Sequence, residues 1–332
     1  MTVRVLACGV CHSDISFIEG AWDGALPAIY GHEVAGVVTE TGAGVESVRS
    51  GDQVVVTLVR SCGRCFYCTR GEVTQCEGTF AIDQRGVLHL QDGTPVKQGV
   101  RVAGFAEFVT VHSSQVVPIA PGVPPESACL LACAVATGVG AVRSTARVPA
   151  GSSVVVLGVG GVGLNSVQGA ALAEAGPVIA VDVSDSRLDI ARTFGATDVI
   201  NSKRADAAAA VRELTGGRGA DYTFITTGSP AAISLGLTLS RRGGTVVIVG
   251  ITATGVTIPF DPGELADAAM RVLGSKMGSV RPGTDLPAMV EQYQSGRLKL
   301  DQLVTGRFPL DRINEALDTA RRGEGVRSVI VF

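Results

Sequence analysis

Four cysteines lie close together in the segment CGRCFYCTRGEVTQC, with the spacing C-x2-C-x2-C-x7-C: Cys62, Cys65, Cys68 and Cys76. Four thiolates at this spacing can wrap a short loop around one tetrahedral Zn²⁺, and such closed sites are structural because no coordination position is left for a substrate. A redox dithiol would need two cysteines and not four. The chain from about residue 61 to residue 77 is therefore predicted to be a structural zinc lobe.

A second set of metal-binding side chains is spread along the chain. Cys11 lies in ACGVCHSD, His32 and Glu33 lie in YGHEVAGVV, and Cys133 lies in LLACAVATGVGAV. Two thiolates and one imidazole with an open fourth position match a pattern found in catalytic zinc sites, where the metal acts as a Lewis acid on a bound oxygen. Spacing alone does not establish this site, because a lone cysteine in an apolar helix is more often a small core residue.

A glycine-rich segment, LGVGGVG, contains Gly158, Gly160, Gly161 and Gly163 and follows the apolar run VVVL. The pattern G-x-G-x-x-G alone is weak in a chain with 43 glycines, but here it follows a predicted strand and opens a predicted helix. Its glycines allow a tight turn, a close approach of backbone to a pyrophosphate, and close packing of helix on strand. A dinucleotide site is predicted, with a purely structural glycine turn as the alternative.

Asp182 ends the next predicted strand, PVIAVDV. A carboxylate at this place accepts hydrogen bonds from the adenosine ribose and repels a 2′-phosphate, which favours NAD over NADP. Arg187, five residues later, is the counterargument, because a guanidinium there could accommodate that phosphate. We give Asp182 the greater weight because it lies directly at the strand end.

Composition limits the remaining classes. Hydrophobic residues make up 46% and charged residues 18% of the chain, which is the composition of a folded protein and not of a disordered one. A net charge of −3 gives no electrostatic reason to expect nucleic acid or an anionic membrane as a partner. Neither a transmembrane run nor a signal peptide is recognisable, so we expect a cytoplasmic protein whose eight cysteines serve as ligands or catalytic groups.

The elements that must position these residues change character along the chain. Up to about residue 130, short β-rich runs are broken by Gly, Pro and Asp, which is typical of an antiparallel or barrel-like domain. From about residue 150, apolar strands alternate with helical segments, including helices at SRLDIARTFGA and AAISLGLTLSRRG. This alternation predicts parallel βαβ units and a doubly wound α/β sheet.

The motifs GVCHSD, GHEVAGVV, the four-cysteine lobe, LLACAVATGVGAV, LGVGGVG and VIAVDVSDSRLDIARTFGAT together resemble those of zinc-containing alcohol dehydrogenases of the medium-chain superfamily, over essentially the whole chain. The resemblance implies a GroES-like catalytic domain formed by residues 1–134 and 277–332, and a Rossmann coenzyme domain formed by residues 135–276. It places the active site in the cleft between them. The long stretch between Cys76 and Phe105 resembles a loop of the dimeric class I and class III enzymes and favours a homodimer.

The resemblance also assigns roles to residues. Cys11, His32 and Cys133 match the catalytic zinc ligands, and Glu33 matches a carboxylate beside the metal. Asp14 matches the acid that orients the histidine ligand, with a turn or capping aspartate as the alternative. Ser13 matches the hydroxyl that takes the alcohol proton, with a backbone-capping serine as the alternative.

Further positions matched by the resemblance concern the coenzyme and the substrate. His12 and Arg327 match contacts to the coenzyme pyrophosphate, although either could be a solvated surface residue. Four apolar positions match the substrate pocket, although large apolar residues are more often core: Trp22, Leu58, Phe105 and Ile251.

Two features depart from the family pattern. Relatives usually begin earlier, so either the start is assigned late or strands are missing and a sheet edge is left open. Ser16 stands where many relatives carry a histidine that completes the proton relay. The expected activity is hydride transfer between an alcohol, aldehyde or ketone and NAD. The alternatives are a glutathione- or mycothiol-linked formaldehyde dehydrogenase and a non-redox biosynthetic relative.

Overall fold

A computed structural model describes residues 1–86 and 88–332, and these residues form two compact units. The first unit contains Met1–Ala134 and Val280–Phe332, and the second contains Val135–Ser279. The first unit is β-rich, and the second is built on a parallel sheet. These are the two fold classes predicted from the sequence, and the predicted boundaries, residues 134 and 276, compare with Ala134 and Ser279.

Strands occur in both units. Within the described residues they are β1 (Thr2–Gly9), β2 (Ala28–Ile29), β3 (Glu33–Glu40), β4 (Gln53–Val56), β5 (Leu88–His89), β6 (Pro95–Gln98), β7 (Phe108–Thr110), β8 (Val116–Pro118), β9 (Val154–Leu157), β10 (Val178–Asp182), β11 (Asp198–Asn201), β12 (Ala220–Ile225), β13 (Ser240–Ile248), β14 (Arg271–Gly274), β15 (Val304–Pro309) and β16 (Arg327–Val331).

The α-helices are mostly short in the first unit and longer in the second. In the described part of the chain they are α1 (His12–Ile18), α2 (Ala81–Arg85), α3 (Pro125–Ala128), α4 (Ala134–Gly140), α5 (Gly161–Leu172), α6 (Asp185–Thr193), α7 (Ala207–Leu214), α8 (Pro230–Leu239), α9 (Pro262–Asp267), α10 (Pro282–Gln294) and α11 (Ile313–Arg321). The chain after α4 widens into a π-helical segment, Ala141–Ala146.

The large sheet of the first unit has the strand order β15-β16-β1-β3-β4-β8. The β1 strand pairs with β3 along its length, and on its other side it pairs first with β7 and then with β16. All of these pairings are antiparallel, and only β15 and β16 run parallel. Because side chains alternate across a strand, Val3 and Val5 point into a valine-rich core while Arg4 between them is exposed.

The sheet of the second unit is parallel throughout, with the order β11-β10-β9-β12-β13-β14. Numbered within this unit, the order is 3-2-1-4-5-6, the order of a doubly wound dinucleotide-binding fold. Its central strands are continuous apolar runs, as expected for strands covered on both faces. Val155, Ile179 and Val181 are fully buried in one core cluster. The order reverses between β9 and β12, so a crevice is expected at the carboxyl ends of these strands.

One predicted element was partly wrong. The segment SRRG, predicted as the end of a helix, forms the start of β13 at Ser240. Ser240 pairs with Ala220 of β12, and the Arg241 side chain donates to Asp221. These contacts with the neighbouring strand extend β13 backwards, and helical periodicity in the sequence does not reveal them.

Among the described residues, no single helix has the length and apolar composition needed to cross a membrane. One bent helix pair, Pro125–Ala132 with Ala134–Ala146, meets those two criteria when its members are taken together.

Candidate active site

Asp14 organises the region around the second set of predicted ligands. The residue is fully buried at the start of α1. Its carboxylate accepts three hydrogen bonds: Oδ2 from the backbone N–H of Cys11 at 3.0 Å, and Oδ1 from the backbone N–H of Gly31 at 3.0 Å and from His32 Nδ1 at 3.1 Å. The bond to Cys11 is half of a capping box that begins the helix. Since Asp14 holds Nδ1–H, Nε2 of His32 is left with its lone pair free for a metal.

The chain must turn sharply to bring His32 to Asp14. Gly31 has a φ of +88°, a backbone conformation that favours glycine. A Cβ atom on Gly31 would also lie 2.7 Å from the backbone nitrogen of Phe105. His32 and Glu33 then enter β3, where both side chains are fully buried. The local geometry at Gly31 therefore fixes where this pair of side chains enters the site.

Cys133 comes from a distant part of the chain, at the break between a 3₁₀ turn (Cys129–Ala132) and α4. Its φ of −142° and ψ of −70° are not helical, so its side chain leaves the helical path. The carbonyl of Ala132 accepts a hydrogen bond from Thr57 Oγ1 at 2.8 Å, which ties this break to the chain just after β4. The sequence alone gave no sign of this bend in an apolar segment.

The structure brings the dispersed residues together. One ligand atom from each of Cys11, His32, Glu33 and Cys133 lies within 4.8 Å of the others, and all four residues are buried. Ser13 is half-buried, and its Oγ lies 3.3 Å from His32 Nε2, the nitrogen that faces away from Asp14. The predicted proton-accepting hydroxyl therefore lies on the ligand side of the imidazole.

Glu33 forms a buried ion pair with Arg327. Its Oε2 accepts a hydrogen bond from Nη2 of Arg327, and both side chains are buried. Within the described chain, Glu33 Oε1 and Arg327 Nε have no hydrogen-bond partner. Burial raises the pKa of Glu33 to about 7, against the opposing effect of Arg327. Arg327, predicted from the resemblance to contact coenzyme phosphate, is thus engaged with Glu33, and its phosphate contact stays a prediction.

The thiols and the imidazole perturb one another. A hydrogen bond with Cys133 lowers the pKa of Cys11 well below its ordinary value, and the same bond raises the pKa of Cys133 well above it. Burial lowers the pKa of His32, but the Asp14 carboxylate and Cys11 together raise it more, so that the pKa lies well above its ordinary value. Metal-bound thiolates are deprotonated, so binding of a dication would displace the protons of both thiols.

The donor set fits Zn²⁺. Two thiolates and one neutral imidazole leave a fourth tetrahedral position open, which is the arrangement of catalytic zinc sites. The charges also balance, because two thiolates would neutralise the dication while Arg327 neutralises Glu33. All four residues are buried, so the cluster is not a chance grouping of surface side chains.

The four cysteines of the lobe also converge. Their sulfur atoms lie within 4.8 Å of one another, and Cys65 Sγ is 4.0 Å from Cys76 Sγ. Backbone N–H groups point at the sulfurs: that of Cys68 is 3.5 Å from Cys65 Sγ, and that of Gly78 is 3.4 Å from Cys76 Sγ. Hydrogen bonds from Cys68 and Glu77 lower the pKa of Cys65 to about 6. Four thiols with N–H donors around them fit a closed tetrahedral zinc site.

In the second unit, the glycine motif connects β9 to α5. Gly158 follows β9 with a φ of +88°. A Cβ atom on Gly163 would overlap the carbonyl oxygen of Gly158 and lie 2.8 Å from Thr226 Oγ1, so close packing of helix on turn requires a glycine there. Gly160 differs, because a Cβ atom on it would meet no heavy atom within 4 Å among the described residues. Packing does not require glycine at position 160, but a ligand backbone approaching the helix N-terminus would.

Asp182 lies at the carboxyl end of β10, beside this turn, and is 5% exposed. Its Oδ2 accepts from the N–H of Val159 at 2.8 Å, and its Oδ1 accepts from the N–H groups of Val183 at 2.7 Å and Ser184 at 3.0 Å. A carboxylate offers about four acceptor sites, so one remains for a ribose hydroxyl. Arg187 lies half-buried in α6.

The other residues that were predicted to bind coenzyme or substrate differ in exposure and packing. His12 is exposed at the start of α1, and Ser16 Oγ donates to the His12 carbonyl at 3.1 Å, so this hydroxyl satisfies the helix backbone. Leu58 and Phe105 pack against the valine core of the first unit. Ile251 is 67% exposed in the second unit. Their roles in binding stay predictions.

Sequence reasoning missed Gly9 at the end of β1. A Cβ atom on Gly9 would overlap Glu33 Oε2 and lie 3.1 Å from Leu130 Cδ2. Glycine at this position therefore makes room for the buried carboxylate. Sequence reasoning also missed the pairing of Glu33 with Arg327, which are 294 residues apart. Neither feature has a local sequence pattern.

Comparisons with known proteins agree with this arrangement. The family profile for the alcohol dehydrogenase GroES-like domain matches residues 1–121, and the profile for zinc-binding dehydrogenases matches residues 161–295. An S-(hydroxymethyl)glutathione dehydrogenase of Photobacterium damsela subsp. piscicida is 37% identical over 99% of this chain and 92% of its own.

Two solved structures are also similar over the whole chain. An alcohol dehydrogenase zinc-binding domain protein from Burkholderia ambifaria superposes with a TM-score of 0.94 at 34% identity, covering 100% of this chain and 91% of its own. A benzyl alcohol dehydrogenase from Acinetobacter calcoaceticus superposes with a TM-score of 0.92 at 32% identity, with the same coverage.

Fold and site together define a zinc-dependent dehydrogenase with a dinucleotide-binding unit. The chain belongs to the zinc-containing alcohol dehydrogenase family of the medium-chain superfamily. It is an enzyme, an oxidoreductase that uses zinc and NAD.

Substitutions at Gly160 and Gly163 should affect different properties, the first NAD binding and the second stability. We expect Gly160→Val to lower the free energy of unfolding by no more than about 1 kcal/mol, because the new side chain enters open space. The same change should weaken NAD binding at least about tenfold by blocking the pyrophosphate. Gly163→Ala should instead lower the free energy of unfolding by about 1–3 kcal/mol. Urea unfolding and calorimetric NAD titration check both, and normal NAD binding by Gly160→Val would contradict the assignment.

The two cysteine clusters should differ in what their metal does. Metal analysis of the wild type should return about two zinc ions per chain. Cys133→Ala should lose one zinc ion and the activity while the fold is kept, whereas Cys65→Ala should lose the other and lower stability. Cys129→Ala is the matched control, since Cys129 is a buried thiol outside both clusters. One zinc ion in the wild type, or zinc loss in the control, would overturn the two-site assignment.

Proposed function

We propose that this enzyme transfers a hydride between an alcohol carbon and NAD at the site formed by Cys11, His32 and Cys133. The observation that carries the proposal is the buried cluster of four ligand atoms within 4.8 Å. The imidazole in this cluster is oriented by Asp14. Two thiolates and one imidazole leave a position for a substrate oxygen, which a closed four-cysteine site does not.

The side chains around this cluster have separate tasks. Bound zinc supplies a Lewis acid that lowers the pKa of an alcohol hydroxyl, and bound NAD supplies the hydride acceptor. Ser13 Oγ, 3.3 Å from His32 Nε2, is placed to take the alcohol proton. Asp14 keeps the proton of His32 on Nδ1. Glu33 and Arg327 place a neutralised ion pair next to the ligands. Ser16 does not ionise near neutral pH, so the ribose hydroxyls of bound NAD and water would have to carry the proton beyond Ser13.

The coenzyme preference that we propose is NAD over NADP. Asp182 keeps one acceptor site for a ribose hydroxyl next to the glycine turn. Its negative charge would repel a 2′-phosphate at the same place, and its burial weakens the screening of that repulsion. The pyrophosphate would lie against Gly160 at the N-terminus of α5.

We propose that the substrate is an alcohol with an apolar body. An aromatic cluster precedes His32 in the first unit: the Phe17 ring meets Trp22 edge-on at 5.2 Å and stacks on Tyr30 at 5.5 Å. Tyr30 is followed directly by the Gly31–His32 turn. Aromatic rings of this kind bind apolar or aromatic groups well and offer no cation for a carboxylate.

A thiol adduct of formaldehyde is the second candidate. It is favoured by the 37% identity to an S-(hydroxymethyl)glutathione dehydrogenase along nearly the whole chain. Its reacting group is also a hydroxyl on a carbon, so the metal chemistry would be unchanged. Recognition would differ, because the glutathione part carries two carboxylates that cations would have to bind.

Substrate turnover separates these candidates. With NAD, we expect kcat/KM for benzyl alcohol to exceed that for formaldehyde plus glutathione by at least about tenfold, a difference of about 1.4 kcal/mol in transition-state binding. With benzyl alcohol, NAD should exceed NADP by a similar factor or more. NADH absorbance measures both, with formaldehyde plus mycothiol as a parallel assay. Faster turnover of either thiol adduct would establish the second candidate, and no turnover of any of them would contradict the proposed activity.

The proton step is tested at Ser13. Ser13→Ala should lower kcat by about 10²-fold, the usual size of a general acid–base contribution, while Ser13→Thr keeps a hydroxyl and should retain most of the activity. A deuterated alcohol shows whether hydride transfer limits the rate in each variant. Near-normal kcat in Ser13→Ala, under conditions where the isotope effect shows rate-limiting hydride transfer, would remove Ser13 from the relay.

We also propose a homodimer. Among the described residues β14 pairs only with β13, so it forms an outer edge of the parallel sheet, and its Val272 is 41% exposed. Unpaired N–H and C=O groups on such an edge readily pair with another strand. Sedimentation should therefore give a dimer for the wild type and a monomer for Val272→Lys, and a monomeric wild type would contradict this proposal. Six of the eight cysteines form the two predicted zinc clusters. Thiol ligands are kept reduced in the cytoplasm, so we also propose a cytoplasmic location, which cell fractionation checks.

A further inference from the structure

A cavity lies in the coenzyme-binding unit, away from the glycine motif. It has a volume of about 280 Å³. Its wall is formed by residues that precede the parallel strands: Ser153 precedes β9, Pro177 precedes β10 and Gly219 precedes β12. The glycine motif follows the other end of β9. Since a strand rises about 3.3 Å per residue, roughly 17 Å separates Ser153 from Gly158. The cavity is therefore distinct from the dinucleotide site.

One guanidinium group in this cavity is held in place by the fold. Arg241 Nε donates to Asp221 Oδ1 at 2.6 Å, and Arg241 Nη1 donates to the carbonyl of Arg242 at 2.6 Å. Asp221 Oδ2 accepts from the N–H of Ser153 at 2.8 Å and from its hydroxyl at 2.7 Å. Arg241 thus neutralises the carboxylate in the wall, and these bonds do not use its Nη2 group. That N–H₂ group is available to a ligand at a defined position.

A second guanidinium group brings an additional charge. Arg218 lines the same cavity and is exposed. Within residues 1–86 and 88–332 its side chain has no hydrogen-bonded or ion-paired acceptor. Its guanidinium lies close to Gly216, about 3.3 Å from where a Cβ atom would stand. Two guanidinium groups against one carboxylate give the cavity a net charge of about +1.

The other residues that line the cavity leave room for a ligand beside the charged groups. A Cβ atom on Gly176 would meet no heavy atom within 4 Å in the described chain. Leu214, 37% exposed, and Pro177 supply an apolar rim. Thr215 is buried, with its hydroxyl donating to the carbonyl of Val211 at 2.6 Å. Among the described side chains that line the cavity, the donors left for a ligand are therefore those of the two arginines.

We propose that this cavity is an anion site that binds a phosphate group, either as free inorganic phosphate or as the phosphate of a small phosphomonoester. The two oxygens of a carboxylate are matched by the paired N–H groups of one guanidinium. A phosphate has enough oxygens to accept hydrogen bonds from two guanidinium groups. The cavity volume allows a small organic group beyond the phosphate, in contact with Leu214 and Pro177.

The test uses the zinc-loaded enzyme saturated with NAD, so that phosphate cannot occupy the pyrophosphate position. Inorganic phosphate and glycerol phosphate are titrated separately at constant ionic strength, with binding followed by ³¹P NMR and calorimetry. We expect saturable binding, and the tighter of the two ligands identifies the source of the phosphate. Arg218→Gln should weaken that binding about tenfold, because it removes charge-assisted hydrogen bonds, and Arg218→Lys should recover part of it.

Arg212→Gln is the matched control, because Arg212 is an exposed arginine near the end of the same helix, α7, and does not line the cavity. It should bind phosphate as the wild type does. Three results would each overturn the proposal: no saturation below about 50 mM phosphate, a dissociation constant too weak to be specific; unchanged binding in Arg218→Gln; or equal weakening in Arg212→Gln. Since Arg218 has no partner in the described chain, loss of folding is not expected to obscure the result.

Discussion

The buried carboxylate of Asp14 is the interaction on which the catalytic unit depends. It receives N–H groups from three separate pieces of structure: the start of α1, the turn at Gly31 and the imidazole of His32. An anion with no exposed surface is tolerated because these donors replace water. The same three bonds align Cys11 with His32 and select the tautomer of the histidine. One side chain therefore sets the fold of this segment and the chemistry of the ligand pair at once.

Features governed by nearby residues were accessible from the sequence. The parallel alternation from β9 onwards and the turn from Gly158 to Gly163 follow from strand, glycine and helix patterns within a few dozen residues. The four-cysteine lobe is similarly local. The helix predicted over SRRG was wrong because Ser240 pairs with a neighbouring strand, and such contacts are not encoded in periodicity.

Long-range features of the site were accessible only in part. The resemblance identified Cys11, His32 and Cys133 as one ligand set, but it did not reveal the bend at Cys133 or the hydrogen bond from Thr57 to the neighbouring Ala132 carbonyl. The ion pair of Glu33 with Arg327 joins opposite ends of the chain. Gly9 is explained only by the volume of the Glu33 carboxylate. Each of these features depends on contacts between residues that are distant in the chain, and a single sequence does not show such contacts.

Asp182 illustrates how a specificity determinant can become fixed. Its two oxygens accept the N–H groups of Val159, Val183 and Ser184, which close the turn after β9 and the turn after β10. An asparagine would turn an NH₂ group toward at least one of these donors, and a glycine would leave all three without an acceptor. Replacing this aspartate would therefore destabilise the fold, even in a cell that no longer needed the enzyme to discriminate between NAD and NADP. An evolutionary change from NAD to NADP would therefore have to begin at the residues on either side of Asp182, while the aspartate itself is retained.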